Sequence, residues 1–381
     1  MQGNLQTNPA VLRCQACNAT HPLSLPIWAC PCGGLLDVEM PASFPWKLMR
    51  RRPAGLWRYR EALGLPAAAD PVTLGEMRTP LLPADSPSGP LHLKLDFLFP
   101  TGSFKDRGAS TMITAARHLG VTQVVEDSSG NAGAAVAAYT AAAGMAATIY
   151  VPASAPPAKI APIALYGARL VQVPGPRSAT TEAVQAEARR SYYASHVWNP
   201  FFLEGVKTVA FEIWEQLGQR APDWVITPVG HGTMLLGLYK GFDYLLQAGV
   251  IQRLPGIIGV QAAAVAPLAA AFDQASASLP VISAVDTLAD GIAIAHPLRW
   301  RQILAAVRTS QGQIITVGEE QIEQAAQSWA RRGILMEPTS ATALAAYQAL
   351  RRDQFFDRCA TIVALITGSG VKSAHRIPTG T

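Results

Sequence analysis

The pattern of apolar and polar residues predicts alternating strands and helices from residue 101 onward. The clearest helix covers Glu204–Leu217, where apolar residues recur three and four positions apart and so share one face. Short apolar runs bounded by glycine, proline or polar residues predict buried strands. The predicted strands are Gln123–Glu126, Ala146–Val151, Arg169–Val173, Trp224–Thr227, Ile257–Val260, Gln313–Val317 and Thr361–Ile366. The other predicted helices are Phe104–Leu119, Asn131–Ala143, Lys159–Tyr166, Thr180–Arg190 and one that begins at Thr233.

These repeated units predict an α/β fold class. Strand–helix pairs joined by short loops favour parallel sheets with helices on both faces. Before residue 101, two apolar runs flank a Ser-Pro-Ser-Gly turn at 86–89, which predicts a β-hairpin. Ligands of parallel sheets bind beyond the carboxyl ends of the strands, so the loops that lead from strands into helices are the first places to look for chemistry.

Composition places the chain among globular proteins and leaves its ligand open. Its 381 residues suffice for about two domains and a small module, and 49% of them are apolar. The 31 basic and 26 acidic side chains give a net charge of +5. This charge fits either a solvated surface or a cleft that binds a small anion. The one dense basic run, at 47–52, carries no RNA-binding signature, so we expect no nucleic-acid partner.

No segment predicts secretion or membrane insertion. The opening residues MQGNLQTNPAVLR are polar and contain no hydrophobic signal region, which favours a cytoplasmic location. Residues 128–158 carry no charge and are long enough to cross a bilayer. Alanines dominate this stretch and glycines interrupt it, so it predicts a helix, a glycine stop and a strand instead.

Four cysteines are clustered near the N-terminus. Cys14 and Cys17 form a C-x2-C pair, and Cys30 and Cys32 form a C-x-C pair after twelve intervening residues. Four thiolates on two tight turns suit a tetrahedral zinc ion, and with no open ligand position the zinc would be structural. The alternatives are free thiols or a metal site that has decayed.

Four loops combine small residues with groups that bind anions or react. Lys105 lies in the first turn of a predicted helix, where the positive end of the helix dipole favours the neutral amine that forms a Schiff base with a carbonyl cofactor. The loops at 127–133 and 228–234 each lead from a strand into a helix, so their backbone N–H groups can bind an anion. Thr367 places a hydroxyl after the last predicted strand. Taken singly, each loop is also explained as an ordinary helix cap or turn.

The motifs at these loops, taken together, resemble those of one enzyme family. TGSFKDRG (101–108), SSGNAG (128–133), PVGHGT (228–233), EPTSA (337–341) and TGSG (367–370) occur in this order. They resemble the threonine synthase branch of the fold-type II pyridoxal-phosphate enzymes, whose fold is shared with the tryptophan synthase β subunit. The resemblance extends from about Leu12 to Lys372 and includes the cysteine module.

The resemblance implies pyridoxal 5'-phosphate as the cofactor and gives each loop a role. Lys105 would form the Schiff base and move protons on the substrate carbons. Asn131 would bond the cofactor's ring oxygen, and Thr367 its pyridine nitrogen, which a neutral hydroxyl leaves unprotonated. Ser128 and Ser129 would lie near the carboxylate or leaving group of a small anionic amino-acid substrate. The residues that would cradle the cofactor phosphate are Gly230, His231, Gly232, Thr233 and Met234.

The implied reaction is that of a lyase, threonine synthase. It eliminates phosphate from the γ-carbon of O-phospho-L-homoserine and adds water at the β-carbon, which gives L-threonine in amino-acid biosynthesis. One alternative is a related threonine or serine dehydratase, or a β-replacement enzyme that acts on another activated amino acid. The third hypothesis is a catalytically idle paralogue or a binding protein built on the zinc module, and intact Lys105, Asn131 and Thr367 oppose it.

The sequence departs from the threonine synthase pattern in two places. Phe201 and Phe202 precede the Glu-Gly-x-Lys-Thr stretch, where threonine synthases usually carry a basic residue that helps to hold the substrate phosphate. Ser369 stands where the family usually has a histidine. We expect the positive charge to come instead from Lys207, or from Lys159 or Arg107 as substitutes. The departures leave the cofactor chemistry intact and bear on the substrate.

The resemblance also implies an architecture. We expect two open, mostly parallel twisted sheets of the tryptophan synthase β type, after a zinc-ribbon-like module at 1–40. We assign a large cofactor domain to 41–100 and 201–381, and a small α/β domain to 101–200. A homodimer is the assembly that the family suggests.

Overall fold

The computed structural model describes residues 10–66, 68–86, 88–274, 278–282 and 285–373, which form two compact units. The first unit contains residues up to 76 together with 105–205, and the second contains 77–104 and the residues from 206 onward. Residues 41–76, which we assigned to the large domain, therefore group with the first unit. Hydrogen bonds tie them there, because the Val72 N–H donates to Thr114 Oγ1 at 2.8 Å and the Tyr139 hydroxyl bonds the Glu76 carboxylate.

Strands and helices alternate through most of the chain. The strands are β1 (Val11–Cys14), β2 (Thr20–Pro22), β3 (Leu36–Glu39), β4 (Leu81–Ser86), β5 (Gly89–Leu95), β6 (Gln123–Glu126), β7 (Ala146–Pro152), β8 (Arg169–Val173), β9 (Tyr192–Tyr193), β10 (Trp224–Pro228), β11 (Gly256–Ala262), β12 (Gln313–Val317) and β13 (Ile362–Ile366). The helices are α1 (Trp46–Met49), α2 (Lys105–His118), α3 (Asn131–Ala142), α4 (Pro157–Leu165), α5 (Arg177–Glu187), α6 (Pro200–Val206), α7 (Thr208–Gln216), α8 (Thr233–Gln247), α9 (Pro267–Asp273), α10 (Trp300–Thr309), α11 (Glu319–Ala330) and α12 (Pro338–Arg352).

Each unit has its own mostly parallel sheet, which confirms the α/β class. In the first unit, β8-β7-β6-β9 form a parallel four-stranded sheet, and β2-β1-β3 form a small antiparallel sheet in the cysteine module. In the second unit, the order is β12-β11-β10-β13-β5-β4, and only the β4–β5 hairpin is antiparallel. The hairpin was predicted from its turn, of which Pro87 lies outside the described residues.

Two inner strands of the second unit, β11 and β13, are buried along their whole length. Every residue of β11 and of β13 is buried, and apolar side chains of α12 such as Leu344 and Tyr347 pack in the same core. Such strands read as continuous apolar runs because both faces of a parallel sheet are covered. For the same reason, the bounds predicted for β11 and β13 are within two residues of the observed ones. Among the described residues, no helix is both long and apolar enough to cross a membrane.

The predicted helix at Glu204–Leu217 was wrong in one respect, because the structure has two helices in this stretch. Helix α6 begins earlier, at Pro200, whose fixed φ suits a first helical turn. The chain then breaks at Lys207, where the Ala210 N–H bonds the Lys207 carbonyl three residues back rather than four. Helices α9 to α12 were not predicted from the sequence.

Candidate active site and cysteine cluster

Lys105, in the first unit, is the first residue of α2. Its Nζ lies 5.8 Å from the centre of the buried Phe202 ring, a distance compatible with a cation–π contact. In the second unit, the N–H of Phe104, the preceding residue, donates to the Thr367 carbonyl at 3.0 Å. Within the first unit, an aromatic ring therefore faces the Lys105 side chain.

The loop before α3 presents the predicted substrate-binding groups of the first unit. Ser128, Ser129 and Asn131 are all partly exposed. The Ser128 hydroxyl accepts the Gly130 N–H at 3.2 Å, which shapes the turn into the helix. A Cβ on Gly133 would lie 1.9 Å from the Ser128 carbonyl oxygen, so only glycine lets the loop rest on the first turn of α3.

The loop before α8 forms the predicted phosphate cradle of the second unit. Gly232 adopts a left-handed conformation with φ of 81° and caps the 15-residue helix that begins at Thr233. A Cβ on Gly230 would lie 2.9 Å from Ile292 Cα, and one on Gly232 would lie 2.2 Å from Ile303 Cδ1. The loop is therefore tightly packed, and the first N–H groups of α8 lie at its end, which is the arrangement that binds phosphate.

Thr367 follows β13 in the second unit and is 5% exposed. Its Oγ1 lies 3.0 Å from the hydroxyl oxygen of Ser340, which is fully buried in the first turn of α12. The hydroxyl of Thr367 is thus held by the protein rather than by solvent.

The four N-terminal cysteines converge in the first unit. Their sulfur atoms all lie within 4.8 Å of one another. The Cys14 and Cys32 sulfurs are 3.5 Å apart, and those of Cys17 and Cys30 are 3.8 Å apart. Ligands about 2.3 Å from a tetrahedral zinc ion lie about 3.8 Å from each other, so the cluster has the size of such a site. The described cysteines can therefore hold a metal ion.

Comparison with known proteins decides the family. Residues 72–368 match the family model described as pyridoxal-phosphate dependent enzyme. The chain belongs to this family. The threonine synthase of Methanocaldococcus jannaschii is 35% identical over 373 residues, which cover 94% of this chain and 92% of that protein. The threonine synthase of Methanosarcina acetivorans is 32% identical over 378 residues, which cover 96% and 93%.

Solved structures support the same fold. The processed form of threonine deaminase isoform 2 from Solanum lycopersicum superposes with a TM-score of 0.70 at 22% identity, covering 86% of this chain and 89% of that one. This pyridoxal-phosphate-dependent enzyme is therefore threonine synthase-like and of fold type II, as its motifs predicted.

The residues of this enzyme fit the cofactor that the family implies. The glycine loop at 230–232 is crowded at Gly230 and at Gly232, and it ends in helix N–H groups of the kind that bind a phosphate. Lys105 supplies an amine at the start of a helix, and Thr367 supplies a buried hydroxyl. An amine, an anion cradle and a hydroxyl match the aldehyde, phosphate and ring nitrogen of pyridoxal phosphate.

Two of the three residues expected to supply the missing positive charge, Arg107 and Lys207, are buried. Phe201 and Phe202 are fully buried, and a Cβ on Gly108 would lie 2.5 Å from the Phe202 ring. Arg107 is also fully buried in the first unit, whereas Lys159 is partly exposed. In the second unit, the Lys207 Nζ lies 4.8 Å from the centre of the Tyr244 ring and its side chain is almost fully buried.

Residues 128–130 form the serine loop, and the sequence assigned no role to the two buried carboxylates that precede it. Glu126 accepts the Ser128 N–H and lies 3.1 Å from His196 Nδ1, and the His196 ring meets Phe202 edge to face at 6.0 Å. Asp127 accepts the Tyr193 hydroxyl at 2.7 Å. The signal that was overlooked is an acidic pair at the end of an apolar strand, where buried charge has a structural or chemical reason.

The pKa of Glu126 is raised from an ordinary value of 4.5 to about 8. Burial is the largest cause, since it disfavours the carboxylate, and the charge of Asp127 adds to it. Arg177, the Ser128 N–H and Lys105 act in the opposite direction. Between these two pH values the folded state therefore keeps a proton that the unfolded state has released.

Glu126 is expected to make the enzyme less stable as the pH rises. Its contribution to folding is fully present below pH 4.5 and is lost as the pH increases through about 8. We expect the unfolding temperature of the wild-type enzyme to fall more across this window than that of Glu126→Gln, which cannot ionise. Exposed Glu182 in the same unit gives the control, because Glu182→Gln should follow the wild type. Equal slopes for all three proteins would contradict the expectation.

Proposed function

We propose that this enzyme is a threonine synthase, which releases phosphate from O-phospho-L-homoserine and forms L-threonine. The observation that carries the proposal is the identity with threonine synthases along more than nine-tenths of the chain. The family match at residues 72–368 contains Lys105, the serine loop, the glycine loop and Thr367.

The proposed roles follow from the chemistry of each group. When bound, pyridoxal phosphate supplies an electron sink that stabilises negative charge on the substrate carbons. Lys105 links to the cofactor's aldehyde, and its amine removes protons from the substrate carbons and returns them. Asn131 donates to the cofactor's ring oxygen, and Thr367 bonds its ring nitrogen. The helix N–H groups of the loop 230–234 hold the phosphate.

Substrate binding is assigned to three polar side chains. Ser128 and Ser129 donate hydrogen bonds to the substrate carboxylate or leaving group, and Lys207 supplies positive charge toward the anionic substrate. Each lies in or beside a segment that the motif resemblance singles out.

A second candidate function is favoured by the buried Phe201 and Phe202. Without a basic residue here, a phosphate leaving group loses one charge-assisted hydrogen-bond partner, a loss of about 1.5–3 kcal/mol or about 10- to 10²-fold in affinity. A threonine or serine dehydratase, or a β-replacement enzyme, does not need that partner. This candidate keeps every cofactor role and changes only the leaving group.

Initial rates with different amino acids separate the two functions. A threonine synthase releases phosphate and threonine from O-phospho-L-homoserine faster than it releases ammonia from L-threonine or L-serine. The opposite order of kcat/KM would contradict the proposal and support a dehydratase. Turnover of O-phospho-L-serine only with an added nucleophile would support β-replacement.

We further propose that the cysteine cluster binds one structural zinc ion and that the enzyme is a homodimer. Purification under reducing conditions with added zinc should yield about one zinc ion per chain, measured by mass spectrometry. Cys14→Ser should lose most of this zinc and lower the unfolding temperature. Cys359→Ser is the control, since Cys359 is an exposed thiol outside the cluster. Wild-type protein that contains no zinc would contradict the zinc proposal. A monomer in sedimentation experiments would contradict the homodimer.

A further inference from the structure

The motif EPTSA (337–341) has no role in the proposed reaction, yet one of its side chains contacts Thr367. Ser340 lies in the first turn of α12 and is fully buried in the second unit. Its hydroxyl oxygen is 3.0 Å from Thr367 Oγ1. Two hydroxyls at this distance share one hydrogen bond, and either can be the donor.

The neighbouring backbone decides which hydroxyl donates. Ser340 Oγ accepts the N–H groups of Thr367 and of Gly368, each at 3.0 Å. A hydroxyl oxygen has two acceptor sites, so both are occupied and only its hydrogen is left to give. The acceptors within reach are Thr367 Oγ1 at 3.0 Å and the Gly368 carbonyl at 3.4 Å. That carbonyl already accepts the Glu337 N–H at 3.0 Å, so Thr367 is the better acceptor.

The same count of donors and acceptors determines where the hydroxyl hydrogen of Thr367 can be donated. Its oxygen accepts from Ser340 and cannot donate back, because the acceptor sites of Ser340 are filled. Among the described residues, Thr367 Oγ1 has no other hydrogen-bond partner. Its own hydrogen is therefore available to a ligand that accepts a hydrogen bond.

We propose that Ser340 is a positioning residue that locks Thr367 as a hydrogen-bond donor toward the cofactor's ring nitrogen. The inference rests on the proposed role of Thr367 in cofactor binding. A donor hydroxyl bonds an unprotonated nitrogen, whereas a protonated nitrogen needs an acceptor. A protonated nitrogen would have to donate to the second acceptor site of Thr367 Oγ1, and the Thr367 hydrogen would then have no acceptor. Ser340 Oγ cannot accept that hydrogen, because the N–H groups of Thr367 and Gly368 occupy both of its acceptor sites.

The proposal predicts a change in the protonation of the bound cofactor. Holoenzyme is prepared with pyridoxal phosphate that carries an isotopic label at the ring nitrogen, and the nitrogen NMR chemical shift is measured. We expect the wild-type nitrogen to be unprotonated. In Ser340→Ala the lock is absent, so the protonated fraction should rise about tenfold, the size of one neutral hydrogen bond. Ser340→Cys keeps a weaker donor and acceptor, so it should show a smaller change in the same direction.

Two further variants make the result decisive. Thr342→Val removes another buried hydroxyl of the same helix, one that donates to the Thr339 carbonyl at 2.7 Å, and should leave the chemical shift unchanged. The Glu337 carboxylate lies beside Gly368 and is present in every variant, so it does not account for a difference between them. Thr367→Val should move the chemical shift to that of a nitrogen without a hydrogen-bond donor.

Each outcome bears on a different claim. An unchanged shift in Thr367→Val would refute the proposed role of Thr367 itself. A changed shift in Thr367→Val, with the wild-type shift in both Ser340 variants, would overturn the positioning role of Ser340. Weaker cofactor binding in Ser340→Ala without a change in protonation would mark Ser340 as structural only, which also contradicts the proposal.

Discussion

Replacing Lys105 with alanine is expected to abolish turnover and remove the visible absorbance of covalently held cofactor. Lys105 is the first residue of α2, and its amine is the one that the motif assigns to the cofactor. The variant loses both the covalent link and the group that moves protons. General acid–base catalysis alone contributes about 10²- to 10⁴-fold, so we expect kcat to fall by at least about 10³-fold.

Lys105→Arg separates chemistry from charge. Arginine keeps a cation near the Phe202 ring but stays protonated and does not form the link, so we expect an equal loss. Lys47→Ala removes an exposed lysine of α1 and should retain the wild-type spectrum and rate. Activity and absorption spectra of the three variants check the assignment. Retained turnover in Lys105→Ala would eliminate Lys105 as the reactive lysine.

Replacing Lys94 with methionine is expected to destabilise the second unit by about 3–5 kcal/mol, the range measured for breaking a buried ion pair. The Lys94 Nζ lies 2.6 Å from a Glu212 carboxylate oxygen, and both side chains are fully buried. The same ammonium donates to the Thr79 carbonyl and to Gln216 Oε1, each at 2.8 Å. Methionine has a similar length and no charge, so the variant removes the cation that neutralises Glu212. The midpoint of chemical unfolding measures the loss.

The double variant Lys94→Met/Glu212→Leu tests the cause. With both charges removed, the desolvation of Glu212 disappears, so we expect most of the lost stability to return. Arg78→Met is the control, because Arg78 forms a partly exposed ion pair with Glu215 at 2.8 Å and should cost about 1 kcal/mol or less. A double variant as unstable as Lys94→Met would show that packing, not charge, dominates at this position.

Local patterns allowed much of the fold to be predicted. Strands such as Gln123–Glu126 and Gln313–Val317 were located to the residue, since each is a short β-branched run between polar or glycine boundaries. The break at Lys207 was missed because the apolar periodicity of residues 204–217 continues through it. The close packing next to it was also missed, since a Cβ on Gly205 would lie 1.9 Å from the Arg107 carbonyl oxygen and no helical periodicity reveals such a contact.

The candidate site also contains residues that the sequence predicts and residues that it does not. Residue type and spacing were enough to predict the glycine-rich loops, Lys105 and the four cysteines. The roles of Glu126, His196 and Ser340 were not predicted, because they depend on partners that are 2, 70 and 27 positions away in the sequence. A single serine on a helix is unremarkable until its two backbone partners are known. The hydrogen-bond partners of these side chains therefore became known only from the tertiary structure.

The most direct test of the proposed function makes three measurements on one sample. O-phospho-L-homoserine is added to the purified enzyme while visible absorption, inorganic phosphate and L-threonine are recorded together. We expect the cofactor band to shift and phosphate and threonine to appear in equal amounts. A cofactor band that does not respond to this substrate, with neither product formed, would contradict threonine synthase activity and favour a dehydratase or β-replacement enzyme.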